Sequence, residues 1–402
     1  MSKSINLFLF LRRGFFARWK DKIRDSKIHM ERGRKMTTIT KTAPFRADHV
    51  GSLLRPASLH EAIAKYRKGN LPYDELKEIQ RSEVKRIVDK QIEVGLTAVT
   101  DGEFQRLWWH TDFMEYINGV EGYVPEQGYQ FANQVTDAYN VRLTGKVSWN
   151  ENHPFIEDAK FLIKQIDGRA VPKFTIPSPN QFFNTGIIGE EYYASWDEFA
   201  EDIIKVYQDA VKAFYDVGIR YLQFDDVYIA GLSSPNLPFA ESDQDRQSLI
   251  DLALKVVNGV LEVKPEDMQI TTHLCRGNYR SDWAFSGSYD LIAPTLFAKE
   301  KVDGFFLEYD DERSGDFQAL KHIPRNGAKV VIGVFTSKNG ELEDKEEIKR
   351  RIQEASEFVP LDQICLSPQC GFASTHHGNE LSEEQQWNKL KYIVDISKEI
   401  WG

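Results

Sequence analysis

The chain has 402 residues, 41% apolar and 12% aromatic, with 51 Lys and Arg against 61 Asp and Glu for a formal charge of -10. Global disorder is excluded, because that much aromatic surface collapses; 26 Gly, 15 Pro and 3 Cys exclude collagen-like and disulfide-scaffold classes. No apolar run approaches the roughly 20 residues that a membrane-spanning helix needs, and the net acidic balance disfavours a nucleic-acid binder.

Residues 1–36 hold 11 Lys and Arg against 3 Asp and Glu, so this stretch carries +8 and the remainder -18. The asymmetry marks a boundary at Met36: a basic extension over 1–36 and a single domain over 37–402. Phe8, Phe10, Phe15, Phe16 and Trp19 interleave with Arg12, Arg13, Arg18, Lys20 and Lys22, a pattern that fits a surface arm or a targeting segment. No small-residue cleavage site follows, and the favoured reading is a translated leader ahead of a start at Met36.

From residue 44 onward there is neither a low-complexity linker nor an internal repeat. Apolar, β-branched segments at 49–53, 96–102, 172–178, 220–225, 269–275, 304–308, 330–335 and 364–367 alternate with amphipathic stretches that include 76–94, 196–217, 243–263, 345–358 and 383–400. Eight strands alternating with helices predict an α/β chain folded as a (β/α)8 TIM barrel. The stretch 108–152 is too long for an ordinary loop and predicts an inserted hairpin, a lid over one end of the barrel after the second strand. The strand ends carry reactive groups: Ser52, Asp101 with Glu103, Ser178, Asp225 with Asp226, His273 with Cys275, Glu308, Thr336 with Ser337, and Cys370. Barrel enzymes build their chemistry at that face.

His273 and Cys275 stand two apart at one strand end, so both side chains project the same way and can reach one ion. Imidazole and thiolate suit zinc. Taken alone, the pair equally describes a packed histidine beside an inert thiol.

Thr272-His273-Leu274-Cys275, then Phe306-Leu307-Glu308, then Ser367-Pro368-Gln369-Cys370-Gly371 resemble, in that order, the zinc site of the cobalamin-independent methionine synthase family. The resemblance extends to Val50-Gly51-Ser52, Asp101-Gly102-Glu103 and Gln223-Phe224-Asp225. It implies Zn2+ held by His273, Cys275, Glu308 and Cys370, with Cys275 and Cys370 as thiolate ligands of the catalytic centre. It further implies that Val50 and Ser52 hold the carboxylate of L-homocysteine, and that Glu103 and Asp225 hold its ammonium. The implied activity is homocysteine S-methyltransferase, forming methionine. Cys365 matches no motif of the family and reads as a buried strand residue.

The chain departs from the family in three ways. It has one barrel where full-length members have two, so the methyl donor is 5-methyltetrahydrofolate or its polyglutamate, a methylated corrinoid protein, or another small methyl compound. Ile176-Pro177-Ser178-Pro179-Asn180 replaces the family's folate-stacking Trp, leaving Trp108, Trp109, Phe182 or Phe183 for that task. Thr336-Ser337 stands where the family places a proton-donating His, with His110, His376 and His377 as substitutes. Arg142 aligns loosely with an Arg near folate. The acidic run Asp310, Asp311, Glu312, Asp316 reads as solvated loop, with support for Arg276 or Arg313 the alternative. Competing functions are zinc-dependent alkyl transfer to another thiol, a decarboxylase of the same superfamily, and a non-catalytic zinc- or homocysteine-binding barrel. Free-thiol ligands and the absence of an export signal point to a reducing cytoplasm.

Overall fold

The computed structural model describes residues 42–184, 191–234 and 242–402. The basic extension over 1–36 lies outside the described residues. In chain order the principal elements are α1 (Ala57–Arg67), α2 (Tyr73–Glu93), β1 (Ala98–Val99), β2 (Asn118–Tyr123), β3 (Asn140–Ser148), α3 (Pro154–Ile166), β4 (Val171–Pro177), α4 (Trp196–Asp216), β5 (Tyr221–Asp226), α5 (Asp243–Leu261), β6 (Gln269–Leu274), β7 (Gly304–Glu308), β8 (Lys329–Phe335), α6 (Lys345–Ser356), β9 (Ile364–Pro368) and α7 (Glu383–Trp401).

Seven strands form one parallel sheet in the order β1-β4-β5-β6-β7-β8-β9, and β2 pairs with β3 antiparallel. The strands are buried along almost their whole length, as a parallel sheet covered by helices requires. The helices form for local reasons. On α4, Phe199, Ile203, Val206, Ala210 and Phe214 bury one face, and the Ser195 hydroxyl caps its start by accepting from Glu198 N. A capping box of Ser382 and Gln385 starts α7. Pro154 at the first turn and His153, whose ring accepts from Phe155 N, start α3.

The segment expected as a strand at 49–53 is not one. Ala47 makes a single parallel bridge to Leu366 on β9, while on the other side Leu53 N donates to Gly102 O at 3.1 Å. The sheet therefore curls until one segment touches both of its edges. Side chains capture the carbonyls that a ladder would use. Lys173 Nζ donates to His49 O at 2.5 Å, Gln223 Nε2 to Val50 O at 2.6 Å and Thr100 Oγ1 to Gly51 O at 2.6 Å. Gly51 has φ +143°, and a Cβ there would lie 2.6 Å from Thr175 Cγ2. The segment at 96–102 keeps only two strand residues, because Gln91 from α2 takes both the N–H and the C=O of Thr100.

The insertion is the expected hairpin. Its tip is tied to the loop after β6: Asn133 N donates to Asp282 Oδ2 at 2.7 Å and Ala132 N to Trp283 O at 2.8 Å. Cys365 is fully buried on β9.

Glu300 is buried 7% exposed behind β6, with the Thr272 hydroxyl donating to it at 2.9 Å. Burial pushes its carboxyl up to about 8, against a partial offset from Thr272. An unfolded Glu titrates near ~4.3, so between roughly pH 4 and 8 the folded chain keeps a proton that the unfolded chain has lost, and stability falls as pH rises. Glu300→Gln is expected to raise the urea midpoint at pH 9 by ~1–2 kcal/mol equivalent and to change little at pH 5. Equal shifts at both pH values would show that Glu300 ionises freely in the fold.

Candidate metal centre and its cavity

The carboxyl ends of the parallel strands open onto a cavity of about 340 Å³. Register brings the site residues together: Asp225 on β5 faces His273 on β6, and Glu308 ends β7 beside Gly333 of β8. Glycines let the final loop approach. A Cβ on Gly333 would lie 2.5 Å from Gln369 Cα, and one on Gly371 would lie 1.9 Å from Ser52 Oγ. Cys370, between these two contacts, is thereby pressed toward Cys275.

His273, Cys275, Glu308 and Cys370 each offer a ligand atom, and these atoms all lie within 4.8 Å of one another, every residue buried. The two sulfurs are 3.4 Å apart and both cysteines are free. A disulfide would bring them to ~2.05 Å, whereas two thiolates on a tetrahedral ion at about 2.3 Å would sit near ~3.7 Å from each other. Neither ring nitrogen of His273 meets a nitrogen or oxygen partner, and its side-chain interaction is with the Cys370 sulfur. A buried imidazole left in that state is costly, and a metal ion would satisfy it. Two sulfurs, an imidazole and a carboxylate make a donor set that fits zinc.

The electrostatics of the cluster match. The bond from the Cys275 thiol holds Cys370 well below the usual thiol range, and the same bond raises Cys275. Burial, then the Cys370 sulfur, pushes Glu308 up to about 7. Its Oε1 accepts from Arg276 N at 2.6 Å, and Arg313 Nη2 lies 3.5 Å from its Oε2. Arg313 also pairs with Asp310 and Asp311, and Lys338 bonds Asp310. The acidic run is therefore not wholly solvated: Asp310 is 1% exposed and supports Arg313 behind Glu308.

Val50, Ser52, Glu103 and Asp225 line the same cavity as His273, Cys275 and Cys370. Glu103 has φ +62° and is 3% exposed. Its Oε1 accepts from Thr175 Oγ1 at 3.0 Å and lies 3.4 Å from Arg106 Nη2, while its Oε2 is buried without a partner. Asp225 Oδ1 accepts from Gln223 Nε2 at 2.7 Å, and burial lifts its carboxyl to about 7. Burial raises Glu103 as well. Asp226, next to Asp225, serves the fold, accepting from Asn180 Nδ2 and Ile229 N.

The other candidates divide. Trp108, Trp109 and His110 line the cavity, whereas Phe182 and Phe183 pack into the core against Phe199. Burial pushes His110 down to about 3. His376 and His377 do not line the cavity and gather with Asp137 outside it. Arg142 is exposed on β3 and pairs with Glu121. Sequence reasoning missed Tyr129, Phe131, Asn140, Gln181, Asn184, Asn278 and Phe285, all of which line the cavity. Apart from Asn140, which opens β3, and Gln181, in a short helical turn over Pro179–Phe183, they come from loops whose path no spacing specifies.

Residues 179–399 match the family model described as the catalytic domain of cobalamin-independent synthase. The Bacillus subtilis protein YxjH is 47% identical over 90% of this chain and 96% of its own length. The methionine synthase of Sulfolobus acidocaldarius is 24% identical over 80% of this chain and 84% of its own. Among solved structures, the putative vitamin-B12 independent methionine synthase of Listeria monocytogenes superposes with a TM-score of 0.74 at 43% identity, covering 90% of this chain and 99% of that one. A B12-independent methionine synthase from Shewanella shares the fold at a TM-score of 0.65 and 20% identity, over 88% of this chain and 97% of that one. The curled parallel sheet, the buried cluster at its carboxyl end and these likenesses lead to one assignment: the chain belongs to the cobalamin-independent methionine synthase family.

Proposed function

We propose that the protein is a zinc-dependent methyltransferase acting on the thiol of L-homocysteine to form methionine. The observation that carries this reading is the meeting, in one cavity, of three members of a four-group cluster able to hold a metal with two carboxylates, one of which has a buried oxygen without a partner. Zinc, when held by His273, Cys275, Glu308 and Cys370, supplies a positive centre on which an added thiol is deprotonated near neutral pH. Glu103 and Asp225 face the substrate's ammonium group. Their raised carboxyls are what two buried anions show before a cation arrives to pair them. Ser52, beside Gly371, holds the substrate carboxylate together with the Val50 segment, and these contacts select an amino acid over a simple thiol.

The architecture is read as a (β/α)8 barrel in which 46–53 fills the place of the first strand, with the hairpin insertion as lid and 37–402 as one catalytic domain. Two free thiols 3.4 Å apart call for a reducing compartment, the cytoplasm. Among the described residues, no helix is long and apolar enough to cross a membrane. On the donor side, 5-methyltetrahydrofolate leaves as an amine that must gain a proton. His110, the lining histidine outside the proposed metal cluster, is uncharged near neutral pH, so it lacks the acidic second proton that such a donor would need.

Zinc K-edge absorption tests the acceptor reading. The resting protein is expected to show two sulfur neighbours, and L-homocysteine to add a third; a count that stays at two would overturn the reading. Zinc affinity is expected to fall as pH drops from 8 to 6, because Glu308, at about 7 without metal, takes up the proton that competes with the ion. Glu308→Gln should lower affinity roughly tenfold, about 1.4 kcal/mol, and make that pH dependence shallower, leaving the part due to the Cys275 proton, when measured by chelator competition.

A further inference from the structure

The insertion and the loop after β6 give the cavity an aromatic wall. Trp109, Tyr129, Phe131 and Phe285 line it. Trp109 stacks on His110 with ring centroids 4.4 Å apart, and the Tyr129 ring centroid lies 5.7 Å from that of His110. Tyr129 remains 36% exposed and Trp109 and Phe131 are half-buried, so ring surface is left for a ligand.

Charge on the lining is one-sided. Among the described residues that line the cavity there are carboxylates and thiols but no lysine or arginine. Arg106 and Arg55 lie behind Glu103, their guanidinium groups occupied by Thr175 and by the carbonyls of Glu103, Arg106 and Thr375. Among the described residues of the lining, a polyanionic donor meets ring faces and carboxylates without a counter-charge. A cation meets the negative faces of the rings, the environment that binds sulfonium and quaternary ammonium groups.

The leaving group points the same way. Besides the metal cluster, the acidic groups on the lining are Glu103 and Asp225, which the homocysteine reading commits to an ammonium group. Ser337, at the position where a proton donor was sought, instead donates its hydroxyl to Gly371 O at 2.9 Å. A donor that departs without needing a proton suits this lining.

We propose that the methyl donor is a small methyl-onium cation, a sulfonium in preference to an ammonium, seated against Trp109 and Tyr129. The proposal rests on the reading of the cluster as the site of the homocysteine thiolate. The thiolate sulfur forms a bond to the methyl carbon as the carbon–sulfonium bond breaks. That bond's electron pair stays on the departing sulfur, which leaves as a neutral thioether. Nothing is oxidised or reduced, and the proton lost is the one that the homocysteine thiol released on binding. A sulfonium is preferred because a neutral thioether departs more readily than an amine.

Calorimetric titration of the full zinc-loaded chain tests this with trimethylsulfonium, its neutral isostere tert-butanol and 5-methyltetrahydrofolate as probes. Trimethylsulfonium is expected to bind at least tenfold more tightly than tert-butanol, and Trp109→Leu to remove most of that preference while zinc content stays at the wild-type level. Should that variant fold poorly, the comparison of cation with isostere in the wild-type chain decides alone. Methionine should then form from homocysteine and trimethylsulfonium, with dimethyl sulfide released in equal amount. Equal binding of cation and isostere would overturn the proposal, as would methionine formation from 5-methyltetrahydrofolate with none from trimethylsulfonium; the second result leaves the homocysteine reading intact. Tight cation binding with no third sulfur on zinc would instead overturn the acceptor reading, and the donor role with it, leaving a cation pocket.

Discussion

The strand ends bury together four side chains that could hold a metal ion, and the geometry around them follows from that burial. His273 meets no nitrogen or oxygen partner at either ring nitrogen, only the Cys370 sulfur, and Cys275 and Glu308 crowd around it. Such a group of polar side chains, several able to carry negative charge, is expensive to remove from water unless a cation joins it. The surroundings reduce that expense only in part. Arg313 sits 3.5 Å from Glu308, and Asp310 fixes Arg313 while bonding Lys338 from the loop after β8. The network orients Glu308 without neutralising the cluster, since burial still holds its carboxyl at about 7. Supporting bonds of this kind usually set the direction of a metal ligand.

The same demand explains two irregularities of the sheet. Gly333 and Gly371 lack side chains where a Cβ would strike Gln369 and Ser52, and this lets the turn bearing Cys370 settle over the strand ends. Between the sheet edges, 49–51 gives up its ladder hydrogen bonds to Lys173, Gln223 and Thr100. Gln223 uses one amide nitrogen for both Val50 O and Asp225 Oδ1. The carbonyl of one cavity-lining segment and the carboxylate of another are thereby fixed to a common point.

How much of this was legible in the sequence depended on whether a feature is local. The strands from β4 to β9 and the long helices announce themselves by period; His273, Cys275, Glu308 and Cys370 stand among many polar strand ends and are picked out by the order of motifs that resembles the family's. The segment at 49–53 reads as a strand because it is apolar and extended. Its loss of strand status comes from side chains on β4, β5 and after β1 that are distant in sequence. Asp310 reads as solvated because its neighbours are charged, yet Arg313 and Lys338 converge on it only in three dimensions. Phe182 and Phe183 were indistinguishable by composition from Trp108 and Trp109. The difference is that α4 presents Phe199 to the first pair, while the insertion turns the second toward the cavity.

The departures from the family pattern are best understood as structural replacements rather than losses. Ser337 and Gln369 hold the Cys370 turn in place, Ser337 Oγ through Gly371 O and Gln369 Oε1 through Ser337 N. Ser178 caps a short helical turn by accepting from Asn180 N, and Asn180 in turn bonds Asp226. Positions that the resemblance would give to a donor are here used by the frame, while the aromatic rings of the cavity wall come from the insertion and the loop after β6. Trp109, Tyr129 and Phe131 lie on segments other than the strands and turn that carry the buried cluster. A chain built this way keeps the costly part of the site, the buried cluster, on rigid strands, and places most of the aromatic wall on an insertion, where sequence change is cheapest.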